Sequence, residues 1–286
     1  MPDNDRKAES MKKIISIILV CAAVLSLASC SFDLSPSYED YLTGGAEFTD
    51  KVTDLTIDWL NGKVIVEYGD TDSVVIGESA KKDIPSGYEM CHKMTGSLLS
   101  IAYSKKSSVP ADLAKDLTVV IPRGTKLNAV YVNTVSADVE ISDISAPGIA
   151  ELETVSGKIS ARLTGSIPKM MATTVSGSIT LDTGKIGEGV FKTTSGDMKL
   201  LADEAPKRAT FDTMSGDISL YYPKNSGMTV DFSSISGEFT CGYDKESSGT
   251  THKIGSGDAK LIVTSISGNL RLCSPDLDNT PKDIER

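Results

Sequence analysis

The sequence predicts an all-β protein: a single-chain parallel β-solenoid with ~20-residue coils, preceded by a signal peptide and a tether. The first observation is a recurring phrase. It reads TVSADVEI (134–141), TVSGKISA (154–161), TVSGSITL (174–181), TTSGDMKL (193–200), TMSGDISL (213–220), SISGEFTC (234–241), IGSGDAKL (254–261) and SISGNLRL (265–272). Its serines fall at 136, 156, 176, 195, 215, 236, 256 and 267, at spacings of 20, 20, 19, 20, 21, 20 and 11. A near-constant period of this length marks units that cannot bury an apolar face alone and must stack. The short last step predicts a closing hairpin or a shortened final coil.

The second observation is alternation around the glycine of each phrase. Two residues after it stand Val139, Ile159, Ile179, Met198, Ile218, Phe239, Ala259 and Leu270, and four after it Ile141, Ala161, Leu181, Leu200, Leu220, Cys241, Leu261 and Leu272. The position between reads Glu140, Ser160, Thr180, Lys199, Ser219, Thr240, Lys260 and Arg271. Period-two alternation is a strand with one buried face. It predicts that Leu181 and Ile218 are core residues and that Lys199 is not. Five before the glycine stand Val132, Leu152, Ala172, Phe191, Phe211, Phe232, His252 and Val263. That gives a second strand in each unit.

The third observation is a parity conflict. The apolar columns five before and two after the glycine are an odd number of residues apart, so unbroken alternation would put them on opposite faces. The chain must turn between them, and the Ser-Gly pair is the natural corner because glycine permits close approach of the next coil. The orientation of the column two before the glycine (Val135, Val155, Val175, Thr194, Met214, Ile235, Gly255, Ile266) depends on where the break falls. A break at Ser-Gly turns it out, as an apolar stripe. A break near the preceding Thr turns it in. Six aliphatic residues in one row favour burial on composition, which would leave a polar Thr/Ser and charged face as the functional one.

Ahead of the repeats, LTIDWLNGKVIVEYGDTDSVVIGES (55–79) alternates around Asn61-Gly62, with Val64 and Val66 repeating the spacing seen after the later glycines. SLLSIAY (97–103) and LTVVIP (117–122) read as strands, and 79–96 and 104–116 as loops. The expected organisation is a lipoprotein signal peptide at 1–29, a lipidated tether at 30–50, the solenoid at 51–273 and a polar tail at 274–286. At 20 residues per coil that makes about eleven coils and a rod of ~50 Å.

The N-terminal segment reads as an address. Lys12 and Lys13 precede IISIILVCAAVLSLA (14–28), an uncharged run too short for a transmembrane helix and right for a secretory signal. It ends in Leu27-Ala28-Ser29-Cys30, which resembles the lipobox of bacterial lipoproteins. That resemblance implies cleavage before Cys30, acylation of Cys30, and a membrane-anchored, extracytoplasmic location. Net charge is -10, with 39 acidic and 29 basic residues, so a basic footprint for nucleic acid is absent and none is expected as a partner. Of five cysteines, Cys91, Cys241 and Cys273 would remain besides Cys30 after cleavage. One disulfide among the three, or none, are both open readings.

These phrases together resemble the putative-adhesin β-strand-repeat family of exported bacterial proteins, a family without a settled biochemical activity. The resemblance runs over about residues 50–273, on LTIDWLNGKVIV, on LTVVIPRGTKLNAVYVNTVSADVEI, on the Ser-Gly units and on GSGDAKLIVTSISGNLRL. It implies a β-solenoid at the cell surface or in the envelope and supplies no catalytic residues.

The sequence contains no G-x-S-x-G, phosphate loop, dinucleotide fingerprint or H-E-x-x-H. Adjacent Cys91 and His92 should point apart on a strand, and His252 falls in a core column. No catalytic residue and no cofactor are predicted. Asp197, Asp217, Glu238 and Asp258 follow the glycines of four units. Stacked at ~4.8 Å they are weak candidates for a shared Ca²⁺, with solvent-facing turn acids the stronger reading. The expected function is a non-catalytic, adhesin-like envelope lipoprotein presenting faces to an envelope protein or polysaccharide. The alternatives are a carbohydrate-active solenoid enzyme, which the uniform coils leave little loop to build, or an envelope-stress accessory protein.

Overall fold

The structure, a computed structural model, describes residues 38–145 and 148–275. The predicted signal segment, Cys30 and residues 276–286 of the tail lie outside them. The described chain is all β, with 22 strands and no α-helix. In order they are β1 (Leu42–Thr43), β2 (Ala46–Phe48), β3 (Asp54–Trp59), β4 (Gly62–Gly69), β5 (Val74–Ala80), β6 (Cys91–Thr95), β7 (Leu98–Ala102) and β8 (Lys115–Pro122). The repeats give β9 (Ala129–Thr134), β10 (Asp138–Ser145), β11 (Ile149–Thr154), β12 (Ile159–Thr173), β13 (Ile179–Lys192), β14 (Met198–Ala202), β15 (Arg208–Asp212) and β16 (Ile218–Tyr221). The chain closes with β17 (Met228–Ser233), β18 (Phe239–Cys241), β19 (Lys245–Ser248), β20 (Thr251–Ile254), β21 (Ala259–Thr264) and β22 (Leu270–Cys273).

Each coil contributes a strand before its Ser-Gly corner and one after it. The strands before the corner pair in parallel in the order β7, β3, β9, β11, the end of β12, the end of β13, β15, β21, β17. Those after it follow the same order: β8, β4, β10, the start of β12, the start of β13, β14, β16, β22, β18. Register keeps each column intact, as in Ile159↔Ile179 and Ile179↔Met198. The described residues thus form nine stacked coils rather than eleven. The difference lies in β5, β6, β19 and β20, which pair antiparallel at the two ends instead of winding. β6 lies within 79–96, read from sequence as loop, and β1 and β2 lie within the stretch read as tether.

Stacking order departs from sequence order at both ends. The coil β3/β4 comes first in sequence but sits between β7/β8 and β9/β10. The coil β21/β22 comes last but sits between β15/β16 and β17/β18. This explains the short final step in the sequence. Ser256-Gly257 is no corner at all. It lies in the turn joining β20 to β21, where Gly255 and Gly257 have φ of +55° and +77°. Ala259 and Leu261 therefore belong to a strand before the corner, and the phrase at 254–261 is a false member of the repeat.

The core lies between the two ladders. Leu181 and Ile218 are each 1% exposed while Lys199 is only half-buried, as alternation requires. Phe191 and Phe211 stack on successive coils with ring centroids 4.9 Å apart. The corner shows why its residues are Thr, Ser and Gly. The hydroxyls of Thr154, Thr174, Thr193 and Thr213 each accept the N–H of the glycine three residues on, at 3.0 Å. Ser234 and Ser265 do the same for Gly237 and Gly268 at 2.8 and 2.6 Å. The Thr hydroxyls are buried, so they satisfy corner amides that the turn would otherwise leave without a partner. The corner glycines are needed for space. A Cβ on Gly177 would lie 1.7 Å from the Gly157 carbonyl oxygen, and one on Gly196 1.7 Å from that of Gly177.

Candidate functional site: the outer edge of the corner

With Thr turned in, the residue after it turns out. Val135, Val155 and Ile235 are 38%, 43% and 59% exposed, and Val175, Thr194, Met214 and Ile266 are partly exposed. The burial expected for this column is overturned. The parity break falls at Ser-Gly, where the buried Thr hydroxyl points inward and accepts the glycine amide. Gly255, counted in the column from sequence, lies in the β20–β21 turn.

Backbone bonds make the edge continuous. The N–H groups of Val155 and Ser156 both donate to the Val135 carbonyl, at 3.1 and 2.9 Å. The same pairing carries Val175 and Ser176 onto Val155, Thr194 and Ser195 onto Val175, and Met214 and Ser215 onto Thr194. Ile266 and Ser267 then bond to Met214, and Ser236 to Ile266. At the other end Ser136 donates to the Leu60 carbonyl. In spatial order the aliphatic line is Leu60, Val135, Val155, Val175, then Thr194, Met214, Ile266 and Ile235, ~34 Å long at one strand spacing per coil. Exposed serines run beside it.

The far side of the corner carries the acids considered as metal ligands. Asp197 Oδ1 accepts the N–H of Asp217 at 2.9 Å, and Asp217 Oδ1 that of Asn269 at 2.8 Å. Asn269 Oδ1 in turn accepts the N–H of Glu238 at 2.9 Å. The inserted coil thus places an asparagine between Asp217 and Glu238, and Asp258 lies away in the β20–β21 turn. Each acceptor in this row caps the next coil. Among the described residues no three His, Cys, Asp or Glu converge as metal ligands.

The remaining sequence candidates are scattered. Cys91 and His92 are neighbours on β6 and both are buried; His92 packs edge-on against Phe48 of β2, with ring centroids 5.3 Å apart. His92 Nδ1 lies 3.1 Å from the Gly44 carbonyl, and burial lowers its pKa. His252 is on β20, not in a core column. It lies 2.9 Å from Ser247 Oγ and packs against Phe239. Cys91, Cys241 and Cys273 form no disulfide with one another.

The Toastrack DUF4097 family matches residues 52–272, from just before β3 into β22. The chain belongs to this family. No significant similarity to a curated protein was found. Solved structures similar to this Toastrack protein include a "putative adhesin" of Bacteroides fragilis, 14% identical, covering 81% of this chain and 96% of its own, with a TM-score of 0.49. A "putative adhesin" of Parabacteroides distasonis is 10% identical, covers 81% and 96%, and has a TM-score of 0.46. A "putative lipid binding protein" of the same organism is 18% identical, covers 80% and 96%, and has a TM-score of 0.41.

One cluster in the Toastrack protein has no counterpart in the sequence reading. Lys115, fully buried, pairs with Glu78 Oε2 at 2.7 Å. Its Nζ also donates to the carbonyls of Tyr88 and Tyr103, at 2.7 and 2.5 Å, and lies 4.1 Å from the centre of the Tyr103 ring. Glu78 Oε1 accepts the Met90 N–H, and Trp59 Nε1 donates to the Lys115 carbonyl. Burial lowers the Lys115 pKa, and Glu78 opposes that shift. Lys115 closes a segment that reads as loop, and Glu78 lies on a different strand, so no local pattern links them.

Proposed function

We propose that this Toastrack protein is a non-catalytic, adhesin-like lipoprotein of the cell envelope, anchored through lipid at Cys30, that uses the corner edge to hold a surface partner. The continuous Leu60-to-Ile235 line carries this reading. It is an ordered row, apolar but for Thr194, at least partly exposed and repeated from coil to coil. Exposed apolar rows of this kind mark interaction surfaces. The row contains no aromatic ring, and saccharides are commonly held by aromatic faces, so the edge chemistry favours a protein partner over a polysaccharide. The acids on the far side of the corner disfavour an anionic surface.

Two experiments test the proposal. Cys30→Ala should release the protein from membranes or block its processing; unchanged membrane binding with unchanged cleavage contradicts the anchor. Crosslinking in cells followed by capture should recover a partner with the native chain and lose it with Val155→Asp/Val175→Asp, while the thermal melt stays where it was. Retention of the partner by the double variant contradicts the edge. Consumption of purified envelope polysaccharide would favour the enzyme reading instead.

A further inference from the structure

We infer that the interleaved coils at the two ends are clamps, which make the solenoid yield to tension as one unit rather than coil by coil. In a solenoid stacked in sequence order, each end coil is attached along one edge only and is joined directly to a chain terminus. Stability is then a sum of nearest-neighbour terms, and the rod can peel from its ends. Here the coil next to each terminus is paired along both edges.

At the N-terminal end β3 pairs with β7 from Asp54↔Leu98 to Asp58↔Ala102 and with β9 from Asp54↔Ala129 to Trp59↔Thr134. β4 pairs with β8 from Gly62↔Lys115 to Gly69↔Pro122 and with β10 from Lys63↔Asp138 to Glu67↔Ser142. At the C-terminal end β21 lies between β15 and β17, and β22 between β16 and β18. The outermost coils, β7/β8 and β17/β18, are internal in sequence. Each has one parallel edge, on an inserted coil, and is covered on the other side only by antiparallel strands such as β5 on β8 and β20 on β17. Tension entering at a terminus therefore meets a strand held in two ladders before it reaches a coil held in one.

Side chains reinforce both clamps. The Trp59 indole donates to the Lys115 carbonyl at 2.8 Å, tying the β3/β4 corner to β8. A Cβ on Gly62 would lie 2.1 Å from that same carbonyl oxygen, so the backbones meet there at closest approach. At the other end the Tyr243 hydroxyl donates to the Tyr222 carbonyl at 2.6 Å and the Gly242 N–H to the Leu272 carbonyl at 2.8 Å. These bonds hold the segment after β18 across the inserted coil. The clamp rests on this topology alone and stands whether or not Cys30 is acylated.

The test is single-molecule stretching of the full chain with handles at its two ends. The expected trace has small early extensions, as β1 and β2 detach, and then one rupture that releases the coils together. A staircase of ~20-residue releases, each about 7 nm of extended chain, starting at low force, would overturn the inference. Leu261→Asp/Leu272→Asp unseats the inserted C-terminal coil. It should divide the rupture into two events, with residues beyond 222 released first at lower force. An unchanged single rupture in that variant would also overturn it.

Discussion

The middle coils and the end coils of this protein are built from the same phrase and are held by different means. From β9 to β16 each coil stacks on the one before it in sequence, and from the second corner on the same devices recur: a buried Thr hydroxyl on the glycine amide, a glycine against a carbonyl, and the next residue turned out, aliphatic except at Thr194. At the ends the order is broken, antiparallel strands take the place of further coils, and a buried ion pair takes part. Repetition explains the middle without any distant information. The ends depend on contacts such as Glu78 with Lys115 that repetition does not supply.

The largest expected effect separates two kinds of glycine. Gly177→Ala should cost several kcal/mol or prevent folding, because its Cβ would overlap a backbone oxygen that cannot retreat. Gly249→Ala, in the β19–β20 turn, has open space and a φ of +63°, so it should cost only about 1 kcal/mol. Chemical denaturation of the two variants makes the comparison. Equal losses would mean that the corners are not where the coils meet most closely.

Next comes the N-terminal ion pair. Lys115→Met alone leaves a buried carboxylate unpaired and should cost about 3–5 kcal/mol, and adding Glu78→Gln should recover much of it. If the double variant is no more stable than the single one, an unpaired buried carboxylate is not the source of the loss. In the middle coils, Leu181→Ala should cost about 2–5 kcal/mol, whereas Lys199→Ala should shift stability by less than about 0.5 kcal/mol. A comparable loss from both would break the assignment of inside and outside.

Alkali should affect the ends first. Burial pushes the Cys91 thiol up to about 11 and the Tyr103 phenol up to about 12. Both groups keep their protons in the fold at a pH where the unfolded chain has lost them. Their contribution is fully present below the unfolded pKa values, near 9 and 10, and is lost as pH rises through the folded ones. Lys115 has the opposite sign, since its folded pKa is lowered and the unfolded chain binds the extra proton. Denaturation midpoints should therefore fall above about pH 9, with Cys91→Ala removing the earliest part of the decline. A flat profile to pH 11 would contradict this.

Much of the interior was legible because it rests on period-two alternation within a single strand. Val64, Val66 and the residues two and four after the true corner glycines are inward-facing where alternation placed them. The parity conflict also located a corner between the two strands. Which side of it broke was misread, because a row of exposed Val and Ile looks costly when counted one residue at a time. On the molecule Val155, Val175 and Met214 are nevertheless turned out, because the Thr before each turns in to hold the corner glycine amide. Stacking order was not legible, since nearly identical coils fit one another in any order. The phrase at 254–261 passed as a coil for the same reason, its glycines serving a tight turn instead. The edge row was visible as a column from the start, and only the inward pointing of Thr154 and Thr174 tells that it faces out.

Native-state hydrogen exchange tests the contrast between middle and ends most directly. If the inserted coils clamp the rod, amides of β3, β4, β21 and β22 should exchange as slowly as those of β12 and β13, with only β1, β2, β19 and β20 fast. A gradient of protection falling steadily from the middle coils to both ends, with β3/β4 and β21/β22 among the first to open, would contradict the account.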